Sequence, residues 1–148
     1  MKGLNDKNLA SLWRQTILAI FCGKCFFCGT HFMSQEMECH HIKHRRFWLL
    51  KYDWRNGVPA CKWTHPKNQH LKMSCHQYAD TAPGRILTQQ YQAKYGDYVQ
   101  ERSQIAKQYL VEKGLTREEF LWNTSVELSQ VWAFAQIGLK SFQMGKQQ

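Results

Sequence analysis

Cys25-Phe26-Phe27-Cys28-Gly29 is the stretch that decides how this chain can fold. Two thiolates at this spacing on a tight turn can share one Zn²⁺, with Gly29 taking up the strained backbone of the turn. A tetrahedral site needs a second pair. Cys61 and Cys75 are the best candidates, while His65 and His70 lie between them and can substitute; Cys22 and Cys39 are left over. The other use of a C-x-x-C pair, a redox dithiol, requires a βαβ setting with the first Cys at a helix N-terminus, and no such pattern surrounds Cys25. All six cysteines and all seven histidines fall between Cys22 and His76. Chance burial of small apolar thiols accounts for one or two of them, not for that concentration of soft ligands.

Three further stretches follow in order. Glu38-Cys39-His40-His41-Ile42 carries two adjacent histidines, which on a strand point to opposite faces, so that one can meet a metal while the other meets a water. Arg55-Asn56-Gly57-Val58-Pro59-Ala60-Cys61 contains a turn former, and its Asn amide can lock a loop and orient a nearby base. Ser74-Cys75-His76-Gln77-Tyr78-Ala79-Asp80 sets a thiolate beside a histidine; a helix over 72–80 puts His76 and Asp80 on one face, within reach of one cation.

Around this centre the apolar pattern predicts an N-terminal helix over 6–21, capped by Asn5 or Asp6, and strands near 31–42 and 57–60. Thr81-Ala82-Pro83-Gly84 reads as a linker or helix stop. Helices are expected over 85–95 and 97–113, ended by Gly96 and Gly114. A third starts at the capping box Thr116–Glu119 and runs to about Leu139, with residues 140–148 frayed. The expected class is α+β: residues 1–83 form a small zinc-braced finger with an N-terminal helix, and 84–148 form a helical extension. The extension either packs on the finger or pairs with another copy of the chain.

Apolar residues make up 43% of the chain and aromatic residues 14%, which argues against disorder. No long uncharged apolar run suggests a membrane span, and Asp6, Lys7 and Arg14 break up any leader-like stretch. A soluble, cytoplasmic protein is the expectation. The formal net charge is +9, and residues 43–72 hold Lys43, Arg45, Arg46, Lys51, Arg55, Lys62, Lys67 and Lys72 against Asp53 alone. Such a segment attracts polyanions by phosphate contact and counterion release. Phe47, Trp48, Tyr52, Trp54 and Trp63 are interleaved with these cations, either to stack on unpaired bases or to fill a core.

The order C-x-x-C-G, E-x-H-H-I, N-G-V-P-A-C and C-H resembles the HNH (His-Me finger) endonucleases, whose ββα-metal finger is often braced by a structural zinc. The resemblance covers about residues 20–80. It implies a metal-dependent endonuclease acting on DNA in a bacterial or phage-infected cell. His40 stands in the place of the first metal ligand, often an Asp in this family. His41 stands in that of the general base, Asn56 in that of the middle Asn, and His76 in that of the last metal-binding His. Cys25, Cys28, Cys61 and Cys75 stand in the places of the zinc ligands. The family usually writes its last piece as C-x-x-C-H, whereas here extra residues within Lys62–Ser74 intervene. A rival alignment takes His65 as the last histidine and puts Thr64 where the fourth Cys belongs; Cys75-His76 preserves both ligands and is preferred.

The expected catalytic ion is Mg²⁺ or Mn²⁺ at His40, His76 and Asp80, although two imidazoles suit Zn²⁺, Ni²⁺ or Co²⁺ as well. Lys43, Arg45, Arg46, Lys51 and Arg55 are the candidate DNA contacts, with Arg46 and Arg45 ranked first for steadying the transition state. A zinc-braced finger followed by helices is similar in layout to phage endonucleases that resolve branched recombination intermediates as dimers, which makes a homodimer through the C-terminal helices one expectation. A non-catalytic zinc protein that binds nucleic acid is the alternative, and nothing in the sequence separates DNA from RNA.

Overall fold

The computed structural model describes residues 5–31 and 33–144. Helix α1, Asp6–Ile20, starts where the Asn5 side chain accepts a hydrogen bond from the Asn8 N–H, which satisfies one of the free amides of the first turn. It ends in a closure of Schellman type. The Gly23 N–H returns to the Leu18 carbonyl and the Cys22 N–H to that of Ala19, with Cys22 in the left-handed region. Its apolar stripe of Leu9, Trp13 and Ile17 is buried.

Strands β1, Met37–His41, and β2, Gly57–Cys61, form an antiparallel pair in which Met37 faces Cys61 and His41 faces Gly57. Alternation along β1 divides its side chains. Cys39 and His41 turn towards α1, where Cys39 donates to the Arg14 carbonyl and His41 stacks on Trp13 at 4.1 Å, while Met37 packs with Cys25, Cys61 and Cys75. Glu38 and His40 turn the other way, towards His76 on helix α2, Cys75–Ala79. A lone two-stranded ribbon is marginal in water, and here α1 and α2 cover it. The strand expected over 31–42 is shorter than read, because Ser34–Glu36 forms a 3₁₀ turn and His31 makes only an isolated bridge to Lys24. The helix expected over 72–80 starts late: Lys72 adopts the left-handed conformation and Ser74 caps the helix.

Thr81–Gly84, read as a linker or helix stop, is instead the start of helix α3, Ala82–Ala93. The Thr81 hydroxyl accepts from the Gly84 N–H, and Pro83 sits in the first turn, where its missing N–H costs nothing. Helix α4 spans Tyr98–Lys107 and widens into a π-helical turn over Gln108–Glu112. Helix α5, Arg117–Met144, opens with the expected reciprocal bonds between Thr116 and Glu119. It continues past the expected end at Leu139, and the rest of the tail read as frayed, 145–148, lies outside the described residues. No helix of the described residues is long and apolar enough to cross a membrane.

The main core joins both halves of the chain. Leu128 of α5 lies among Leu9, Trp13 and Ile17 of α1 and Tyr52 of the loop between the strands. A buried ion network adds to it: Asp53 takes two bonds from the Arg55 guanidinium, Arg55 reaches Glu101 of α4 at 2.6 Å, and Arg102 reaches Glu127 of α5 at 2.7 Å. Leu128→Ala is therefore expected to lower the stability of the whole chain by about 2–5 kcal/mol in one cooperative urea transition. An unchanged transition would show that α5 is not part of this core.

Candidate metal centre and histidine cleft

Three separate segments deliver the cysteines. The knuckle supplies Cys25 and Cys28, and the Gly29 N–H closes its turn on the Cys25 carbonyl at 2.9 Å with φ +66°. Cys61 is the last residue of β2 and Cys75 the first of α2. Their four sulfurs all lie within 4.8 Å of one another, the arrangement of a Cys₄ site for a metal such as zinc. Asn68 donates towards the sulfurs of Cys61 and Cys75, and the His65 ring lies 3.3 Å from the Cys28 sulfur. His65, weighed as a substitute ligand or as the last histidine of the motif, thus stands against the outside of the cluster.

One thiol of the four is primed to lose its proton. A hydrogen bond from Cys75 brings the Cys25 thiol down to about 5 against the cost of burial, and backbone amides of Cys28, Cys61 and Phe27 assist. The same bond pushes the Cys75 thiol upward, and burial takes Cys61 to about 11. A cation bound by such a cluster takes the place of the thiol protons. The leftover Cys39 is an inert thiol, raised to about 12 by burial, and Cys22 is exposed.

The histidines gather on the far side of α2. The rings of His40 and His76 meet edge to face, 5.7 Å between centroids. His76 also pairs with Glu38 at 3.2 Å, a partner that the sequence reading left without a role. His40, His41, Lys43, Arg46 and Asp80 line one cleft of about 410 Å³, joined by Arg85 and Thr88 of α3. Arg85 was missed because nothing in its own neighbourhood in the sequence marks it. Burial holds His40 below the ordinary imidazole value, with Asp80 opposing and His76 and Arg85 reinforcing. Among the described residues only the cysteines bring three metal-type ligand atoms within 4.8 Å of one another. The donor atoms of His40, His76 and Asp80 do not all come that close.

His41 is oriented from two sides. Trp13 stacks on its ring with 10° between the planes, and its Nε2 lies 2.9 Å from the Lys51 carbonyl. A carbonyl can only accept, so the proton sits on Nε2 and Nδ1 keeps its lone pair. Burial is the main influence holding His41 below its ordinary pKa, which keeps it neutral at pH 7. The loop that provides this carbonyl is pinned by Asn56, fully buried: its Oδ1 accepts from the Lys43 N–H at 2.7 Å, and its Nδ2 donates to the carbonyls of Lys43 and Leu50 at 3.0 Å. Tyr98 and Gln92 reach the same Asn56 oxygen from the helical half.

Two of the five expected phosphate contacts are otherwise engaged. Arg55 is buried in its pairs with Asp53 and Glu101, which corrects its assignment as a DNA contact. The Lys51 ammonium is paired with Asp6 at 2.7 Å. Lys43, Arg45 and Arg46 are exposed on the loop after β1.

No family model matches this chain, and neither the curated proteins nor the solved structures give a match.

The cysteine centre makes a direct prediction. Purified protein should carry about one equivalent of zinc by elemental analysis, and Cys75→Ser should lose most of it together with several kcal/mol of stability. Full stability of the metal-stripped protein would remove zinc from the account.

Proposed function

We propose that this chain is a metal-dependent endonuclease of the HNH type that hydrolyses phosphodiester bonds in DNA. The observation that supports it most directly is the shared cleft of His40, His41 and Asp80 beside His76, bordered by Lys43, Arg46 and Arg85. In this reading β1, β2 and α2 form the ββα-metal finger and the Cys₄ cluster is its structural brace. His40 and His76, with Asp80 beside them, would hold the catalytic ion, two imidazole nitrogens and a carboxylate being donors that suit a divalent cation. When bound, such an ion neutralises charge developing on the scissile phosphate.

The remaining steps belong to the chain. Exposed Lys43 and Arg45 would grip flanking phosphates, and Arg46, which lines the cleft, would steady the charge on the pentavalent phosphorane oxygens. His41 Nδ1 takes a proton from water as the hydroxide adds to phosphorus. The bond to the leaving oxygen breaks, and that oxygen picks up a proton from solvent. Trp13 and the Lys51 carbonyl keep the ring aimed while it carries the extra proton.

One observation favours a second reading. The cysteine sulfurs are drawn tightly together while the histidine set is not, as in a zinc protein that binds nucleic acid without cutting it. Plasmid and branched-DNA cleavage by wild type and His41→Ala across Mg²⁺, Mn²⁺, Zn²⁺, Ni²⁺ and Co²⁺ separates the two. The nuclease reading expects His41→Ala to lose cleavage by a factor of about 10²–10⁴ while DNA affinity is kept. Binding without cleavage by the wild type under every metal favours the second reading.

A further inference from the structure

Five aromatic side chains sit among the cations of the basic segment, and the fold uses three of them internally. Trp48 packs edge-on against Phe120 of α5 at 5.7 Å with the Arg117 guanidinium over it. Tyr52 is buried and bonds to Asp6. Trp54 packs edge-on against Tyr95 at 5.1 Å. Phe47 and Trp63 are left, 51% and 62% exposed. The hairpin register separates these two. Trp63 lies two residues past Cys61, opposite Met37, at the cysteine end, whereas Phe47 lies on the loop that leaves β1 at His41, at the cleft end. One strand length, four residues at roughly 3.4 Å each, lies between those ends.

The loop that carries Phe47 is held in place. The Phe47 N–H donates to the His44 carbonyl, the Leu50 N–H donates to the Phe47 carbonyl, and Asn56 clamps Lys43 and Leu50. Arg46, which lines the cleft, has its guanidinium 5.3 Å from the centre of the Phe47 ring. Lys43 and Arg45 stand exposed on the same loop. An apolar ring fixed in water among three cations is a poor seat for a protein's apolar face, which would bury those charges unpaired. A nucleotide matches both parts at once, with a π face for the ring and a phosphate for the cations.

We propose that Phe47 is a base-stacking platform and that the ligand of this face is DNA with an unpaired base next to the phosphate entering the cleft. Bases of a closed duplex have no free face to offer it. This inference rests on the nuclease reading for the identity of the cleft, while the stacking surface can be tested by itself.

The test uses the full chain without added catalytic metal. Fluorescence anisotropy reports affinity for a duplex and for the same duplex with a short single-stranded gap, and 2-aminopurine in the gap reports stacking. Phe47→Ala should weaken gapped-DNA binding by about tenfold, leave duplex binding within about threefold, and abolish the quenching of 2-aminopurine. Phe47→Trp should restore both the gapped-DNA affinity and the quenching. Equal loss on both DNAs, or no loss, overturns the proposal. Wild type that cuts DNA while Phe47→Ala binds both substrates normally sinks the stacking platform alone. Wild type that never cuts, with gapped binding still dependent on Phe47, sinks the nuclease reading and leaves the platform standing.

Discussion

The convergence of four sulfurs is the constraint on which the rest of the molecule depends. A turn of the knuckle, the end of β2 and the start of α2 have few apolar residues with which to hold one another, and the cluster of Cys25, Met37, Ala60, Cys61 and Cys75 is small. A cation bonded to four thiolates would supply what hydrophobic burial cannot at this size. The consequence reaches the opposite side of α2. Because His76 follows Cys75 directly, a metal bond that drew Cys75 inward would also carry His76 to the face where β1 presents His40. The extra residues within Lys62–Ser74 change the path between Cys61 and Cys75 but not this outcome, since only the two ends are held.

A second constraint operates from the helical half. Asn56 holds both ends of the Lys43–Leu50 loop, and the next residue of that loop supplies the carbonyl that orients His41. Tyr98 bonds to the Asn56 oxygen and to Gln92, so α3 and α4 are connected to His41 through three links. The Asp53, Arg55 and Glu101 pairs run beside this path. The helices therefore do more than cover the finger: they fix the loop on which the geometry of the imidazole rests.

What was legible in the sequence was whatever local rules control. The C-x-x-C-G turn, the Asn5 cap and the Thr116–Glu119 capping box each depend on residues a few positions apart. Pairing Cys61 with Cys75 was legible from chemistry instead of spacing, because thiols so concentrated in one segment need a common use. Partners far along the chain were not legible. Arg55 reads as a surface cation until Glu101, 46 residues away, is placed beside it. Trp48 reads like Phe47 until α5 arrives, and the stacking of Trp13 on His41 joins a helix to a strand whose docking no periodicity specifies. Thr81–Gly84 misled for a different reason: Thr, Pro and Gly mark a break, and a break between helices is also the start of the next one.

The sorting of charges gives the surface a direction that composition alone does not have. The basic segment looks uniform in sequence, yet Arg55 is neutralised inside the core and Lys51 by Asp6. Lys43, Arg45 and Arg46 remain on the loop after β1, and Arg85 joins them across the cleft. Cations placed around a partly enclosed site focus their potential there more strongly than the same charges spread over a convex face. On the nuclease reading, a polyanion would be drawn to the end of the hairpin that carries His40 and His41. Neutral imidazoles at that point add nothing to the attraction, and burial keeps them neutral. In that reading the cationic loop would attract and orient, while the uncharged rings would keep lone pairs for a metal and for a proton. This division of labour follows from burying one pair of side chains and exposing the other on adjoining residues of one strand and its loop.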